Sequence, residues 1–424
     1  NEGLRSFVNW MGCTLGGSRH PAASTLLDVT REFSGSPTAT LIGIGRELDA
    51  LNTACINCLA SAAHAFDDTH LATVIHPTGP IASALFALAE RSPEPMTGKD
   101  LQAALVIGIE VACHLGAGLL LPPAKGQLGW YMTGVAGALG SAAASARALG
   151  LNHEQTCWAL GLAGNQASGF RQTHGSMCTS FVPGHAARSG LQAALLAQAG
   201  MTASMASIEG ENGYAQVFSH TPNIASIDEG LGNRWEIRAN AYKPYPSGIV
   251  IHPVTDACLD LQAREGFSPD AIESVRIEVN PLCLTLCDRP EPESNQDGQV
   301  SVQHWTAVSL LTGKAGIAEG SDESVNDSRV VALRNKVSAE PANDLERDGA
   351  RVHIRFDNGQ TWSEEIAHAR GSLANPMSDA ELDAKFLAQA RMVLDDPRAD
   401  DLLARCRQLT ALDDVAGLAA MTLP

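Results

Sequence analysis

Small residues recur at three- and four-residue intervals through Gly134-Val-Ala-Gly137-Ala-Leu-Gly140 and on along an alanine-rich run to Leu151. A helix with such a face lets a neighbouring helix approach closely. A second small-residue helix reads from near Gly184 through Leu191 to Ala199, closed by Gly200. Thr97-Gly-Lys-Asp100 reads as a capping signal ahead of apolar residues at Leu101, Leu105, Ile109 and Cys113. The first 230 residues are therefore expected to be helix upon helix. The three glycines from Gly134 are spaced G-x-x-G-x-x-G with no strand before them, so a dinucleotide loop is not expected. Neither a Walker A sequence nor a G-x-S-x-G nucleophile elbow occurs.

Near residue 235 the pattern changes. Trp235 to Asn240 reads as a short strand, and Ser274 to Asn280 alternates with Val275, Ile277 and Val279 on one face. Val302–Leu311 and Ser328–Val337 read as helices. Arg351 to Asp357 and Gln360 to Ile366 form a hairpin about Asn358-Gly359. After Pro376, Ser378-Asp-Ala-Glu381 is a capping box that opens a closing helical segment. The expected fold is mainly α: a discontinuous all-helical domain, 1–242 plus 369–424, with a smaller α+β lid domain, 243–368, inserted in it.

The 29 basic against 47 acidic side chains give a formal net charge of −18. Such a field argues against nucleic acid and anionic membrane as partners, and it requires a local cationic pocket for any anionic substrate. Leu101 to Leu121 is apolar but carries Glu110 and His114, which suits a buried helix better than a membrane span. No basic stretch followed by an apolar core stands at Asn1–Gly12, so no signal peptide is expected. Ten cysteines in this length make no disulfide framework, and Cys55-x-x-Cys58 has no second pair to complete a zinc site. Reduced structural thiols in a cytoplasmic protein are the expectation.

The densest polar cluster is His64-Ala-Phe-Asp67-Asp68-Thr69-His70 with His76-Pro-Thr-Gly-Pro80 beyond it, at the junction of two apolar helices. Asp67, Asp68, His70 and His76 could hold a metal, but no pair stands four apart on a clear helix, so no metal is expected. Lys243-Pro-Tyr-Pro falls on the boundary between the domains, where ligands often bind. Tyr131 precedes the Gly/Ala helix, and a phenol at a helix N-terminus can have its pKa lowered for acid–base work.

Together these segments resemble the MmgE/PrpD family: Phe66-Asp-Asp-Thr-His with His76-Pro-Thr-Gly, Thr133 to Gly140, Gly184-His-Ala-Ala-Arg-Ser-Gly190, Glu209-Gly, Lys243-Pro-Tyr-Pro and Asn375 to Leu382. They run in family order over nearly the whole chain. The resemblance implies an enzyme without metal or organic cofactor, usually a homodimer, acting on small anionic polycarboxylates between a helical domain and a lid. Carried over residue by residue, it implies roles for Lys243, Thr69 and His76. Elsewhere the chain departs from the family pattern. Ala65 stands where an Asp is expected before Phe66, Tyr131 replaces a histidine, Gly248 replaces an imidazole, His304 replaces a lid tyrosine, and the lysine expected shortly before Gly184 is missing, since Met177 to Phe181 holds no cation. Arg171 is placed to offset that last loss.

This pattern is closest to iminodisuccinate epimerase, and the expected activity is cofactor-independent epimerisation of a small polycarboxylate. Tyr131 and Lys243 would serve one face, with His76, His64 or His304 on the other, while Thr69, Asp68 and Arg171 hold the substrate. The alternative is a lyase of the 2-methylcitrate dehydratase or cis-aconitate decarboxylase type.

Overall fold

Thr97 does cap helix Gly98–Leu120, its hydroxyl accepting from the Asp100 N–H, and Leu101, Leu105, Ile109 and Cys113 are fully buried along it. A computed structural model describes residues 1–127 and 129–424 of the chain. Among them Gly98–Leu120 is the single helix long and apolar enough to cross a membrane. Most of it is covered by the rest of the chain, and its Glu110 carboxylate accepts the backbone N–H groups of Glu236 and Ile237. Those two bonds also explain why Trp235–Asn240 is not a strand. Glu236–Ala239 is drawn into a 3₁₀ turn, leaving only Asn240–Ala241 extended.

The small-residue faces meet each other. Helix Met132–Ala148 crosses Gly98–Leu120 glycine on glycine: a Cβ at Gly108 would lie 2.7 Å from the Gly140 carbonyl oxygen. On helix Cys178–Gln198, a Cβ at Gly190 would lie 2.5 Å from the Ala138 oxygen. That helix starts earlier than Gly184 and carries Pro183 inside it. These faces are spent inside the subunit, so they give no argument for a dimer. Gly108→Val is expected to cost about 3 kcal/mol by overpacking, read as a lower urea midpoint with an unchanged slope. A variant as stable as the parent would show that the two helices can part without loss.

The chain is mainly α with small sheets. The helical part is not purely helical, since among the described residues three two-stranded ribbons belong to it, including Thr69–His70 with Asn240–Ala241. Its core gathers residues from Phe7 to Ile237 and also Phe386, Leu402 and Leu418 from the C-terminal helices. The Ser378 capping box is present, with reciprocal bonds to Glu381.

A second core, from Val250 to Phe356, fills the intervening segment. Its four-stranded sheet runs Thr361–Ile366, Ala350–Phe356, Ile272–Val279, Val337–Pro341, the last pair parallel. Val275, Ile277 and Val279 pack inward as their alternation requires. The hairpin turns at Gly359 with φ +82°, the left-handed conformation that glycine adopts freely. Helix Ser328–Arg334 stops short of Val337, which instead opens the parallel edge strand, a pairing that no local pattern announces.

Candidate active site

The ribbon between Thr69–His70 and Asn240–Ala241 sets Thr69 opposite Ala241. Asp67 and Lys243, 176 residues apart in sequence, thereby meet: the Lys243 ammonium donates to Asp67 Oδ1 at 2.9 Å and to the Ala65 carbonyl at 2.9 Å. Lys385, from the C-terminal helix Asp379–Ala390, donates to the next carbonyl, Phe66 O, and to Asn9 Oδ1, both at 2.7 Å. Two buried ammonium groups thus pin consecutive carbonyls of one turn. Ala65 and Val74, at φ +49° and +55°, bracket that segment. Left-handed backbone at non-glycine residues costs on the order of 1–3 kcal/mol each and tends to gather at functional sites.

His76 closes the loop. Its Nδ1 lies 2.8 Å from the Asp68 carbonyl oxygen and 3.0 Å from Thr69 Oγ1. A carbonyl only accepts, so Nδ1 carries the proton and Nε2 keeps its lone pair. Asp67 Oδ1 stands 3.7 Å from the same Nδ1, placed to stabilise an imidazolium if Nε2 takes a proton. Burial pushes the Asp67 carboxyl up, but His76 and Lys243 more than offset it and hold it below its ordinary value. Burial lowers the His76 pKa, with Asp67 opposing, so the ring rests neutral near pH 7. The Asp68 carboxylate accepts from the Thr78 hydroxyl and the Asn240 amide, and burial raises it to about 6.

A cavity with an open mouth lies between the two cores. Its ionisable lining groups are Asp67, His76, Tyr131, Arg171, His174 and Lys243, with Thr179, Gln296 and Gln299 as neutral polar neighbours. Tyr131 is the N-cap residue of helix Met132–Ala148, and its ring is edge-on to His174 at 4.7 Å and to His76 at 6.3 Å between centroids. The expected lowering of its pKa is reversed. Burial and then the Asp67 charge push the phenol well up, because Lys243 is already neutralised by Asp67. Tyr131 is therefore a protonated donor. Arg171 donates from Nε to the Trp130 carbonyl at 3.2 Å and, among the described residues, enters no ion pair.

Tyr131, Lys243, His76 and Arg171 are thus together, and Thr69 supports His76 from behind. Asp68 faces away, its carboxylate spent on Thr78 and Asn240. His64 opens on a neighbouring cleft, its ring against His20 at 5.4 Å between centroids. His304 is buried on helix Val302–Thr312 and donates from Nε2 to the Glu319 carbonyl at 2.9 Å. None of these three lines the cavity, and neither does Thr69. The sequence marks Asp67 as one of a polar cluster and a possible metal ligand but gives no sign of its partner Lys243; Ala65 is not acidic, but the carboxylate is two residues on. His174 and Lys385 were missed altogether, and no local motif marks either. His70 is consumed by Thr73 and Glu236, and among the described residues no three His, Cys, Asp or Glu side chains gather as a metal site.

Burial lowers several imidazoles at and around the site: His64, His174 and His304 to about 4, His252 to about 3. Each titrates lower in the fold than in the unfolded chain, so at pH 5 the unfolded chain binds more protons. The stability they support is complete above about pH 6.5 and is lost as pH falls through 6.5 toward 4. Urea midpoints are expected to drop steeply over that window, and His64→Gln is expected to make the drop shallower. A flat midpoint from pH 7 to 4.5 would contradict this.

Residues 2–226 match the MmgE/PrpD N-terminal domain and residues 245–409 the MmgE/PrpD C-terminal domain. The cis-aconitate decarboxylase of Aspergillus terreus is 26% identical over 437 residues, which cover 97% of this chain and 89% of that protein. The cis-aconitate decarboxylase of Homo sapiens is 28% identical over 390 residues, 87% of this chain and 78% of that protein. The 2-methylcitrate dehydratase of Salmonella typhimurium is 32% identical over 114 residues, 23% of this chain and 24% of that protein. With both of its domains matched along most of its length, the chain belongs to the MmgE/PrpD family.

Proposed function

We propose that this enzyme is a cofactor-independent lyase of small polycarboxylates, working by proton transfer at a carbon beside a carboxylate. The observation that carries the reading is the pairing, in one cavity, of a neutral imidazole with a free Nε2 and a protonated phenol, beside the cations Arg171 and Lys243. The long matches to proteins named cis-aconitate decarboxylase support a lyase over an isomerase. In such a reaction negative charge spreads from the reacting carbon into the adjoining carboxylate. Arg171 and Lys243 would hold that carboxylate where charge develops. Tyr131 then gives its proton to the carbon, or His76 removes one, each a general acid–base step.

Epimerisation, as of iminodisuccinate, is the second reading. Inversion needs an acid and a base reaching one carbon from opposite faces, and Tyr131 and His76 would have to be that pair. Incubation with cis-aconitate, 2-methylcitrate or iminodisuccinate in deuterated water, followed by NMR, separates the two. Carbon dioxide release or a changed double bond, from these or from a smaller dicarboxylate, is the result expected of a lyase. Deuterium gain with inverted configuration and no loss of carbon or water would establish the epimerase instead. A homodimer in the cytoplasm belongs to the same reading; a sedimentation mass of one chain at micromolar concentration would contradict the dimer.

A further inference from the structure

Besides these polar groups, the cavity has lining of another character. Ile249, Val250, Leu286 and Val300 reach it from the lid, and Ala62 and Val74 from the helical part. No cation stands among them. At Gly248 there is no room for one, since even a Cβ would lie 2.8 Å from Cys287 Sγ. The Cys287 thiol is itself neutral, pushed up to about 12 by burial.

Charge in the cavity is limited as well. Of the two cations, Lys243 is matched by Asp67 at 2.9 Å, which leaves Arg171 as the one uncompensated charge among the described cavity residues. His76 and His174 rest neutral. Even counting a spare N–H on Lys243 beside Arg171, a third carboxylate would be left without a cationic partner, and an unpaired charge taken out of water is costly. Two can be held. The Arg171 fork suits one carboxylate, and Lys243, with two hydrogen bonds made, keeps a third N–H for the other.

We propose that the substrate taken in this cavity is a dicarboxylate bearing an apolar substituent of a few carbons, seated against Ile249, Leu286 and Val300, rather than a tricarboxylate. The inference rests on the proposed function for the location of the site and narrows its substrate class. Each methylene buried on that wall is expected to tighten binding about fourfold.

Calorimetry with three unreactive probes tests this: succinate, propylsuccinate and tricarballylate. Propylsuccinate is expected to bind at least about 10-fold tighter than either of the others. In Leu286→Lys, which puts a cation into the apolar wall, tricarballylate is expected to gain and propylsuccinate to lose. Should that variant not fold, Val300→Thr keeps the shape and is expected to reduce the propyl advantage several-fold. Tighter binding of tricarballylate than of propylsuccinate by the parent enzyme overturns the proposal, as does a propyl advantage that Val300→Thr leaves untouched. Turnover distinguishes the two readings. The expected binding order without turnover of the matching alkyl-substituted unsaturated dicarboxylates would sink the lyase reading and leave the substrate class standing. Faster turnover of cis-aconitate than of those compounds would do the reverse.

Discussion

Tyr131→Phe is expected to lower turnover by about 10²-fold or more while the fold persists, because the change removes one hydroxyl and leaves the buried ring in place. The size follows from the state of the phenol. Burial and the Asp67 carboxylate hold it protonated, so it serves as a donor over the whole working range. Loss of a committed proton donor falls on kcat and kcat/KM together, whereas loss of a binding contact alone would raise KM. The pH profile gives a second reading. The parent enzyme should lose activity toward acid as His76 takes up a proton, and should show no alkaline fall from Tyr131 below pH 10. If the phenylalanine variant keeps near-parent turnover on every polycarboxylate tried, His76 and His174 carry the chemistry without the phenol.

Local signals told most of the fold and about half of the site. The Gly134–Gly140 spacing, the Thr97 and Ser378 caps and the 274–280 alternation are all short-range patterns, and each element formed where its pattern stood. Where the outcome depended on a distant partner, sequence reading failed. Glu110 converts 236–239 from strand to turn across more than a hundred residues. The parallel strand at Val337 exists because Ile272–Val279 offers it an edge. The site divides in the same way. Tyr131, His76 and Lys243 stand beside prolines, helix starts and a composition break that mark them locally. Asp67, one of two adjacent aspartates, could not be told from Asp68 until the ribbon turned the first toward Lys243 and the second toward Asn240. His64 and His304 have the right chemistry and the wrong neighbours, which only the packing decides.

Lys243→Met is expected to be damaging twice over, in stability by about 3–5 kcal/mol and in kcat/KM by at least about 10²-fold. Lys243 is 2% exposed and its partner Asp67 is buried, so the variant leaves a carboxylate in the interior with Asp68 as its neighbour and no matching cation at 2.9 Å. Paired, Asp67 titrates below its ordinary value, so it supports the fold above about pH 4 and that support is lost as pH falls through its folded pKa. Unpaired, the same carboxyl is pushed up by burial, and acid should then favour the variant's fold relative to the parent's. The stability gap between the two is therefore expected to narrow as pH falls from 7 to 5. Adding Asp67→Asn removes the orphaned charge and is expected to recover much of the lost stability but none of the activity. That separation distinguishes charge balance from catalysis, since a double-mutant cycle isolates the term the pair shares. A single Lys243→Met variant as stable as the parent at pH 7 would mean that the ion pair does not hold the turn. The strain at Ala65 and Val74 would then need some other support.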